Sequence, residues 1–225
     1  MGRLTDPRLL AIAKMVRPGS VVADIGADHG HLICHLVGNG IAPRGYACDI
    51  VEKPLAACAK TVEQCGLEGK IELRLTDGLS GLSLGEIDDI VIAGMGGEMI
   101  ADIISAAPGA KNEHLRLILQ PMTKAERLRE RLYRMGFEIE RERAVRAGGI
   151  LYTVMLVRYT GVAKDVGELF AWTGLLPEDA SPHSRALLEQ TAQRLARAAA
   201  GLAQTADGRE KAEEYKRLAR EIANL

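Results

Sequence analysis

Short apolar segments alternate with segments of helical periodicity over the first 160 residues of this chain. A repeated strand–helix alternation buries each strand on both faces, which is typical of a parallel, doubly wound sheet. The pattern therefore predicts an α/β fold of the Rossmann-like kind. The predicted strands are Ser20–Ile25, Gly45–Asp49, Ile71–Thr76, Asp89–Ala93 and Leu115–Gln120, and the predicted helices are Leu4–Val16, His31–Gly38, Lys53–Cys65, Glu98–Ser105 and Thr123–Arg134.

The pattern changes in the last third of the chain. Strands over Phe137–Val145 and Ile150–Tyr159, joined by Arg146-Ala-Gly-Gly149, predict a hairpin that gives the sheet an antiparallel edge. We expect a sheet domain at 1–160 and a helical domain at 161–225, whose αα-hairpin is either a packing or dimerisation element or a substrate-binding arm. Its apolar residues recur at intervals of three and four: Leu188, Ala192, Leu195, Ala199 and Leu202, then Tyr215, Leu218, Ile222 and Leu225 beyond a break at Thr205–Gly208.

Composition narrows the class of protein. No apolar run approaches the roughly 18 residues of a membrane span, and the first residues lack a signal-peptide core, so we expect a cytoplasmic protein with no membrane contact. The four cysteines contain no CxxC pair, and His31 and His35 lack a fourth ligand at characteristic spacing, so we expect no metal. A monomer is slightly favoured over an oligomer.

The loop after the first strand, Asp24-Ile-Gly26-Ala-Asp28-His-Gly30, carries the strongest chemical signal. Ligands of open α/β sheets bind beyond the carboxyl ends of the strands, where this loop lies. Asp28 replaces the middle glycine of a dinucleotide loop, and a carboxylate there would repel a pyrophosphate. S-adenosylmethionine has no phosphate and carries a sulfonium and an ammonium, so the acidic loop favours this cofactor over NAD.

Two more acids follow the next strands. Asp49 ends the second strand, where a carboxylate can accept hydrogen bonds from ribose hydroxyls of either cofactor. Asp77-Gly78 follows the third strand, where a carboxylate can bind an adenine amine while glycine allows a tight turn. Each acid alone could equally be a helix cap or turn former.

Glycines and a proline mark the substrate side of the same edge. Ala93-Gly94-Met95-Gly96-Gly97 follows the fourth strand, and its bare backbone would let a flat ring lie against it. Gln120-Pro121 ends the fifth strand and either lines the cleft or only terminates the strand. Ser/His/Asp and Cys/His arrangements have no local support, so hydrolysis has no positive indication.

Together these motifs resemble the TrmK family of bacterial tRNA (adenine-N1)-methyltransferases, which act on position twenty-two in the D-arm. The resemblance covers about residues 4–160, and the trailing helices agree in kind. Gly30-His31 and Thr153 depart from the family pattern, which has a small residue and tyrosine at the first site and Tyr followed by Glu at the second. The motifs are Leu4-Thr-Asp-Pro-Arg-Leu9, Val22-Ala-Asp-Ile-Gly-Ala-Asp-His29, Asp77-Gly-Leu79, Ile92-Ala-Gly-Met-Gly-Gly97 and Leu119-Gln-Pro121.

The resemblance implies a class I methyltransferase domain that binds S-adenosyl-L-methionine and a C-terminal helical domain that helps to engage tRNA. Asp28 is the first candidate for stabilising charge on the methylated base, and His29 is the second. The expected cofactor-binding residues are Arg8, Asp24, Gly26, Ala27, Asp28, Asp49, Ile50, Asp77, Gly78 and Gly94, and the expected substrate-binding residues are Met95, Gly96, Gly97, Gln120, Pro121, Arg127 and Arg131.

Charge distribution suggests where RNA would bind. Residues 116–158 carry ten Lys/Arg against five Asp/Glu, which indicates either a polyanion-binding surface or a solvated helix face. Two alternative functions are also consistent with the sequence. One is a methyltransferase for a small molecule or a protein, and the other is a catalytically silent RNA- or nucleotide-binding module. The expected RNA contacts are Arg3, Arg8, Lys14 and Arg17 on the first helix, with Arg8 alternatively meeting the cofactor carboxylate, and Lys124, Arg127, Arg129, Arg131 and Arg134 after the fifth strand.

Overall fold

A computed structural model of the chain describes residues 4–204 and 208–225 and has a seven-stranded sheet at its centre. The strand order is β3-β2-β1-β4-β5-β7-β6. The first five strands in this order pair in parallel, and β7 and β6 pair antiparallel at one edge, as predicted. The strands are β1 Val22–Ile25, β2 Gly45–Asp49, β3 Ile71–Leu75, β4 Asp89–Gly96, β5 Arg116–Thr123, β6 Phe137–Ala147 and β7 Ile150–Tyr159.

Helices cover both faces of this sheet. Successive residues of a strand point to opposite faces, so Val22 packs in the core on the side of α1–α3 and Ala23 in the core on the side of α4 and α5. All four residues of β1 are buried, as expected for a central parallel strand covered on both faces, and Asp24 is the one acidic residue among them. The helices are α1 Pro7–Ala13, α2 His31–Gly38, α3 Glu52–Gln64, α4 Gly97–Ser105, α5 Ala125–Arg134, α6 Glu168–Thr173, α7 Pro182–Leu202 and α8 Arg209–Ala223.

Several element ends differ from the sequence-based expectation. The strands β4 and β5 continue three residues beyond their predicted ends at Ala93 and Gln120, through Gly94 and Pro121. A bulge at Gly94, whose φ is +80°, shifts the register and lets the two strands stay paired. The helix α6 was not predicted, and Leu225, which was assigned to the apolar face of the last helix, is exposed.

The C-terminal helices form a small core of their own. Leu188, Leu195, Leu218 and Ile222 are buried between α7 and α8, so the predicted pair of packed helices is confirmed. Residues 205–207 of the predicted break lie outside the described residues. Phe170 of α6 packs edge-on against Tyr133 of α5, which joins the helical part to the sheet. The division at residue 160 stays a prediction. Within the two described ranges, no helix is long and apolar enough to cross a lipid bilayer.

A buried ion pair anchors the helical part. Arg129 is 2% exposed and donates to both carboxylate oxygens of Glu142, at 2.6 Å to Oε1 and 3.3 Å to Oε2. It also donates to the carbonyl oxygens of Ala171 and Trp172, while Glu142 accepts from Thr153 Oγ1 at 2.5 Å. Buried charges are tolerated when they are paired and fully hydrogen-bonded. Arg129 is therefore a structural residue, and its predicted contact with RNA is wrong.

The packing around this pair makes Gly174 a sensitive position. A methyl group on Gly174 would overlap the Glu142 carboxylate and lie 2.5 Å from Arg129 Nε. Gly174→Ala should lower the free energy of unfolding by about 2–3 kcal/mol more than Gly148→Ala, because Gly148 has the same φ of +54° but open space around it. Urea denaturation of the two variants measures the difference. Equal losses would contradict a tightly packed ion pair.

Candidate active site

Three carboxylates meet at the carboxyl edge of the sheet. Asp24 lies one residue before the end of β1, Asp49 is the last residue of β2, and Asp77 comes two residues after β3. Because these strands are parallel neighbours, their ends lie side by side. The structure thus brings together the three acids that the sequence singled out.

Asp49 connects two loops at this edge. Its Oδ1 accepts a hydrogen bond from the Val51 amide at 2.9 Å, and its Oδ2 accepts one from the Asp28 amide at 3.4 Å. The expected turn-forming role is therefore confirmed for Asp49. The side chain is only half-buried, so further hydrogen bonds from a ligand are sterically possible. The Asp77 carboxylate makes no hydrogen bond within the described residues and is exposed.

The loop after β1 has an unusual backbone. Gly26, Asp28 and Gly30 all have positive φ, at +75°, +49° and +71°. A methyl group on Gly26 would overlap the methyl group of Met95, and one on Gly30 would overlap Cys58 Sγ. A left-handed aspartate costs on the order of 1 kcal/mol, and such strain is concentrated at functional sites.

Asp28 and His29 project from this loop into solvent. Their side chains are 69% and 57% exposed, and His29 Nε2 lies 3.7 Å from Asp28 Oδ1. The ring of His29 also stacks on that of His31, the family departure at the start of α2, with centroids 5.7 Å apart. Both candidate catalytic side chains are therefore accessible to a ligand at the carboxyl edge.

Asp24 is the buried member of the acidic group. Burial, and to a smaller extent the neighbouring Asp49 carboxylate, raise the pKa of its carboxyl, the hydrogen bond from the Ile33 amide of α2 lowers it, and the net result is a pKa of about 7. Near neutral pH the ligand-free protein therefore holds Asp24 close to half protonated. A cation bound at this edge would favour the ionised form.

Apolar side chains complete the edge. Ile50, Val51 and Leu75 are 62%, 51% and 60% exposed beside the ends of β2 and β3. Exposed large apolar residues next to convergent polar groups are typical of a ligand site. The carboxylates can accept hydrogen bonds from hydroxyl and amine donors, the glycines leave the backbone bare, and the apolar residues form walls for a flat ring. These features fit an adenosyl group with a positive charge, and they disfavour a phosphate chain.

The substrate side of the edge contains a buried amide. Gln120 is fully buried, its Nε2 donates to the Pro121 carbonyl oxygen at 2.8 Å, and its Oε1 accepts from Arg8 Nη1 at 3.1 Å. The Arg8 guanidinium also bonds Asp6, which caps α1, and lies 5.7 Å from the centroid of the Tyr152 ring. Gln120 therefore holds Arg8 and the Pro121 backbone in place.

Some expected substrate contacts are not brought to the open site. Gln120 and Pro121 are buried, and Gly97 is the buried first residue of α4, where a methyl group would overlap the Lys124 carbonyl. Gly94, Met95 and Gly96 belong to the last part of β4 and are accessible, and they border Pro121 through the pairing of β4 with β5. The open part of the substrate side is thus smaller than the sequence suggested.

The expected basic surface is largely neutralised. Arg127 pairs with Glu130 at 3.0 Å, Arg131 with Asp102 at 2.6 Å and Arg134 with Asp165 at 2.7 Å. Arg17 binds Asp89 at the amino end of β4, opposite the site, and its expected RNA contact stays a prediction. Arg3 lies outside the described residues.

Sequence analysis missed a cleft beside the site. A cavity of about 510 Å³ lies between the ends of β5 and β7 and the helix α7. Tyr152, Trp172, Lys124, Arg194 and Arg197 line it. The spacing of Gln190, Arg194 and Arg197 places them on one stripe of a helix and is the sequence signal for this wall of the cleft. No group of three metal-ligating side chains occurs in the described part of the chain.

Comparisons with known proteins identify methyltransferases that are similar to this chain. Residues 5–155 match the model of a methyltransferase domain family. The chain is 36% identical over 169 residues to the tRNA (adenine(22)-N(1))-methyltransferase of Bacillus subtilis (strain 168). The alignment covers 72% of this chain and 71% of the relative.

Solved structures resemble the whole chain, including the helical part. The crystal structure of the B. subtilis m1A22 tRNA methyltransferase TrmK has a TM-score of 0.85 and 30% identity, with 98% of this chain and 99% of that chain covered. A Streptococcus pneumoniae structure in complex with S-adenosyl-L-methionine has a TM-score of 0.85 and 29% identity, with 98% and 100% covered.

The buried carboxyl of Asp24 leads to a pH-dependent stability. Its folded-state pKa is raised, so its contribution is complete below about pH 4 and is lost as the pH rises through about 7. Asp24→Asn removes the ionisation, so the stability of the variant relative to the unchanged protein should increase by about 2–3 kcal/mol between pH 5 and pH 8. Urea denaturation at both pH values measures this change.

The control is Glu63→Gln, which removes an exposed carboxylate on α3. Its stability relative to the unchanged protein should vary little over the same range. A flat difference for Asp24→Asn as well would show that Asp24 does not titrate with a raised pKa.

Proposed function

The chain belongs to the family of tRNA (adenine(22)-N(1))-methyltransferases, and from this premise we propose how its own residues perform that reaction. The enzyme transfers a methyl group from S-adenosyl-L-methionine to N1 of adenine 22 in tRNA. The observation that carries the residue assignment is the gathering of Asp24, Asp49 and Asp77 at one edge of the sheet, around a glycine-containing loop.

S-adenosyl-L-methionine supplies a methyl group on a positively charged sulfur. Asp49 accepts hydrogen bonds from the ribose hydroxyls and Asp77 from the adenine amine, while Ile50 covers one face of the ring. Asp24, ionised by the approach of a cation, attracts the ammonium group. Gly26, Ala27, Gly78 and Gly94 leave room for close approach of the backbone, and Arg8, beside Gly94, provides a cation for the carboxylate.

Adenine N1 has an in-plane lone pair, so no general base has to activate it. The protein therefore contributes position and electrostatics. Gly94, Met95 and Gly96 are accessible at the end of β4 and present a largely apolar surface at which the base can lie, with Pro121 buried behind them. Positive charge moves onto the base during transfer, and the exposed carboxylate of Asp28 stabilises it, with His29 beside it.

N1 lies on the Watson–Crick edge, so the target nucleotide must be unpaired or extruded to reach the site. Arg127 and Arg131 on the outer side of α5 are proposed as secondary phosphate contacts, because surface ion pairs exchange easily for a phosphate. A tRNA substrate also supports the cytoplasmic location expected from the sequence.

The function is tested with an unmodified tRNA transcript, the purified protein and labelled S-adenosyl-L-methionine. Nucleoside mass spectrometry should detect 1-methyladenosine, and primer extension should stop one nucleotide before position 22, because the methyl group blocks pairing. A transcript with guanosine at position 22 is the control and should remain unlabelled. Label on protein or metabolites of a cell extract but not on tRNA would contradict the function.

The role of Asp28 is tested with Asp28→Asn. Asparagine tolerates the left-handed backbone and keeps the side-chain shape but removes the charge, so the transfer rate at saturating substrates should fall at least tenfold. Single-turnover kinetics measure the rate. The matched control is Glu68→Gln, which removes an exposed carboxylate before the start of β3, away from the carboxyl edge of the sheet. A weaker cofactor affinity with an unchanged rate would assign Asp28 to binding alone.

A further inference from the structure

The cleft between α7 and the ends of β5 and β7 has the composition of a nucleotide site. We propose that it binds a second, unpaired nucleotide of the RNA substrate, with the base against the Trp172–Arg194 pair and the phosphate on Lys124 and Arg197. This inference rests on the proposed function, since it assumes that tRNA is the substrate. It adds a subsite outside the target-base pocket.

Position is the first argument. Pro121 and Met122 line the cleft and also border the last residues of β4, where the target base is expected. Tyr152 lines the cleft from the other side, and the Arg8 guanidinium lies over its ring. A nucleotide in the cleft would therefore be within a short length of RNA of the transfer site.

Charge is the second argument. Lys124 is exposed at the start of α5, Arg197 is exposed on α7, and neither forms an ion pair with any described residue. The arginines of α5 differ in this respect, because Arg127 and Arg131 have acidic partners. The cleft also contains Glu126, while Arg129 at its floor is neutralised by Glu142. Its remaining charge is positive and suits a phosphate.

Side-chain chemistry is the third argument. Arg194 lies 5.4 Å from the centroid of the Trp172 ring, so a flat cation and a flat aromatic ring face each other in the cleft. Unpaired RNA bases stack on aromatic rings and on guanidinium planes. Gln190 and Gln193 are exposed on the same wall, and their amides can donate to and accept from a base edge. A volume of about 510 Å³ is in the range of small-molecule sites.

Steady-state kinetics test the subsite. Lys124→Gln/Arg197→Gln removes both free cations and should raise KM for tRNA about tenfold, while kcat and KM for S-adenosyl-L-methionine stay unchanged. The slope of log affinity against log salt should fall by about two, because two phosphate contacts are lost. Arg185→Gln/Arg220→Gln removes two exposed cations outside the cleft and should leave KM for tRNA unchanged.

Trp172 gives a second readout, because it is the only tryptophan of the chain. Saturation with unmodified tRNA should quench its fluorescence in the unchanged protein and in the control variant, with a midpoint shifted about tenfold in Lys124→Gln/Arg197→Gln. Arg127→Ala/Arg131→Ala should change KM for tRNA only about twofold, because these cations are already paired.

Unchanged fluorescence at saturating tRNA, or an equal KM for tRNA in the cleft and control variants, would overturn the inference. Methylation of tRNA by the unchanged protein would still support the proposed function in that case. Fluorescence that depends on protein concentration without RNA would indicate that a second copy of the chain fills the cleft, which would also overturn it. Absence of 1-methyladenosine with the unchanged protein would instead refute the proposed function.

Discussion

A carboxyl group buried beside a second carboxylate is the interaction on which the active edge depends. Asp24 cannot ionise freely within the core, and its pKa near 7 measures how strongly the ligand-free protein resists a negative charge there. A cationic ligand relieves this resistance, whereas a phosphate would increase it. The preference of this edge for a positive over a negative charge thus follows from where the strands of a parallel sheet end and which residues end them.

The strands and their acidic ends could be predicted from the sequence because both follow local rules. Apolar runs mark buried strands, and residues at the carboxyl ends of parallel neighbours necessarily meet. The ends of β4 and β5 could not be predicted, because Gly94 and Pro121 look like terminators and only the bulge between the paired strands allows both to continue. The helix α6, with six residues, is too short to carry a helical period.

The roles of the arginines on α5 could not be predicted from the sequence either. Arg127, Arg129 and Arg131 share one short helix and look alike, yet one of them is fully enclosed and two form exposed ion pairs. Their difference depends on partners that lie far along the chain, such as Glu142 on β6 and Asp102 on α4. Charge counting identified a basic segment correctly but could not say which of its charges remain free for an anion.

The close approach of Gly97 to the Lys124 carbonyl links the first turn of α4 to the residue before α5. Lys124 keeps a left-handed backbone there, with φ of +58°, so Gly97 cannot gain a side chain unless the Lys124 backbone moves. Evolution of a new base preference through a larger residue at Gly97 would therefore need a compensating change in the loop before α5. Protein engineers who wish to redirect the enzyme should accordingly transplant the two helix starts as a single module.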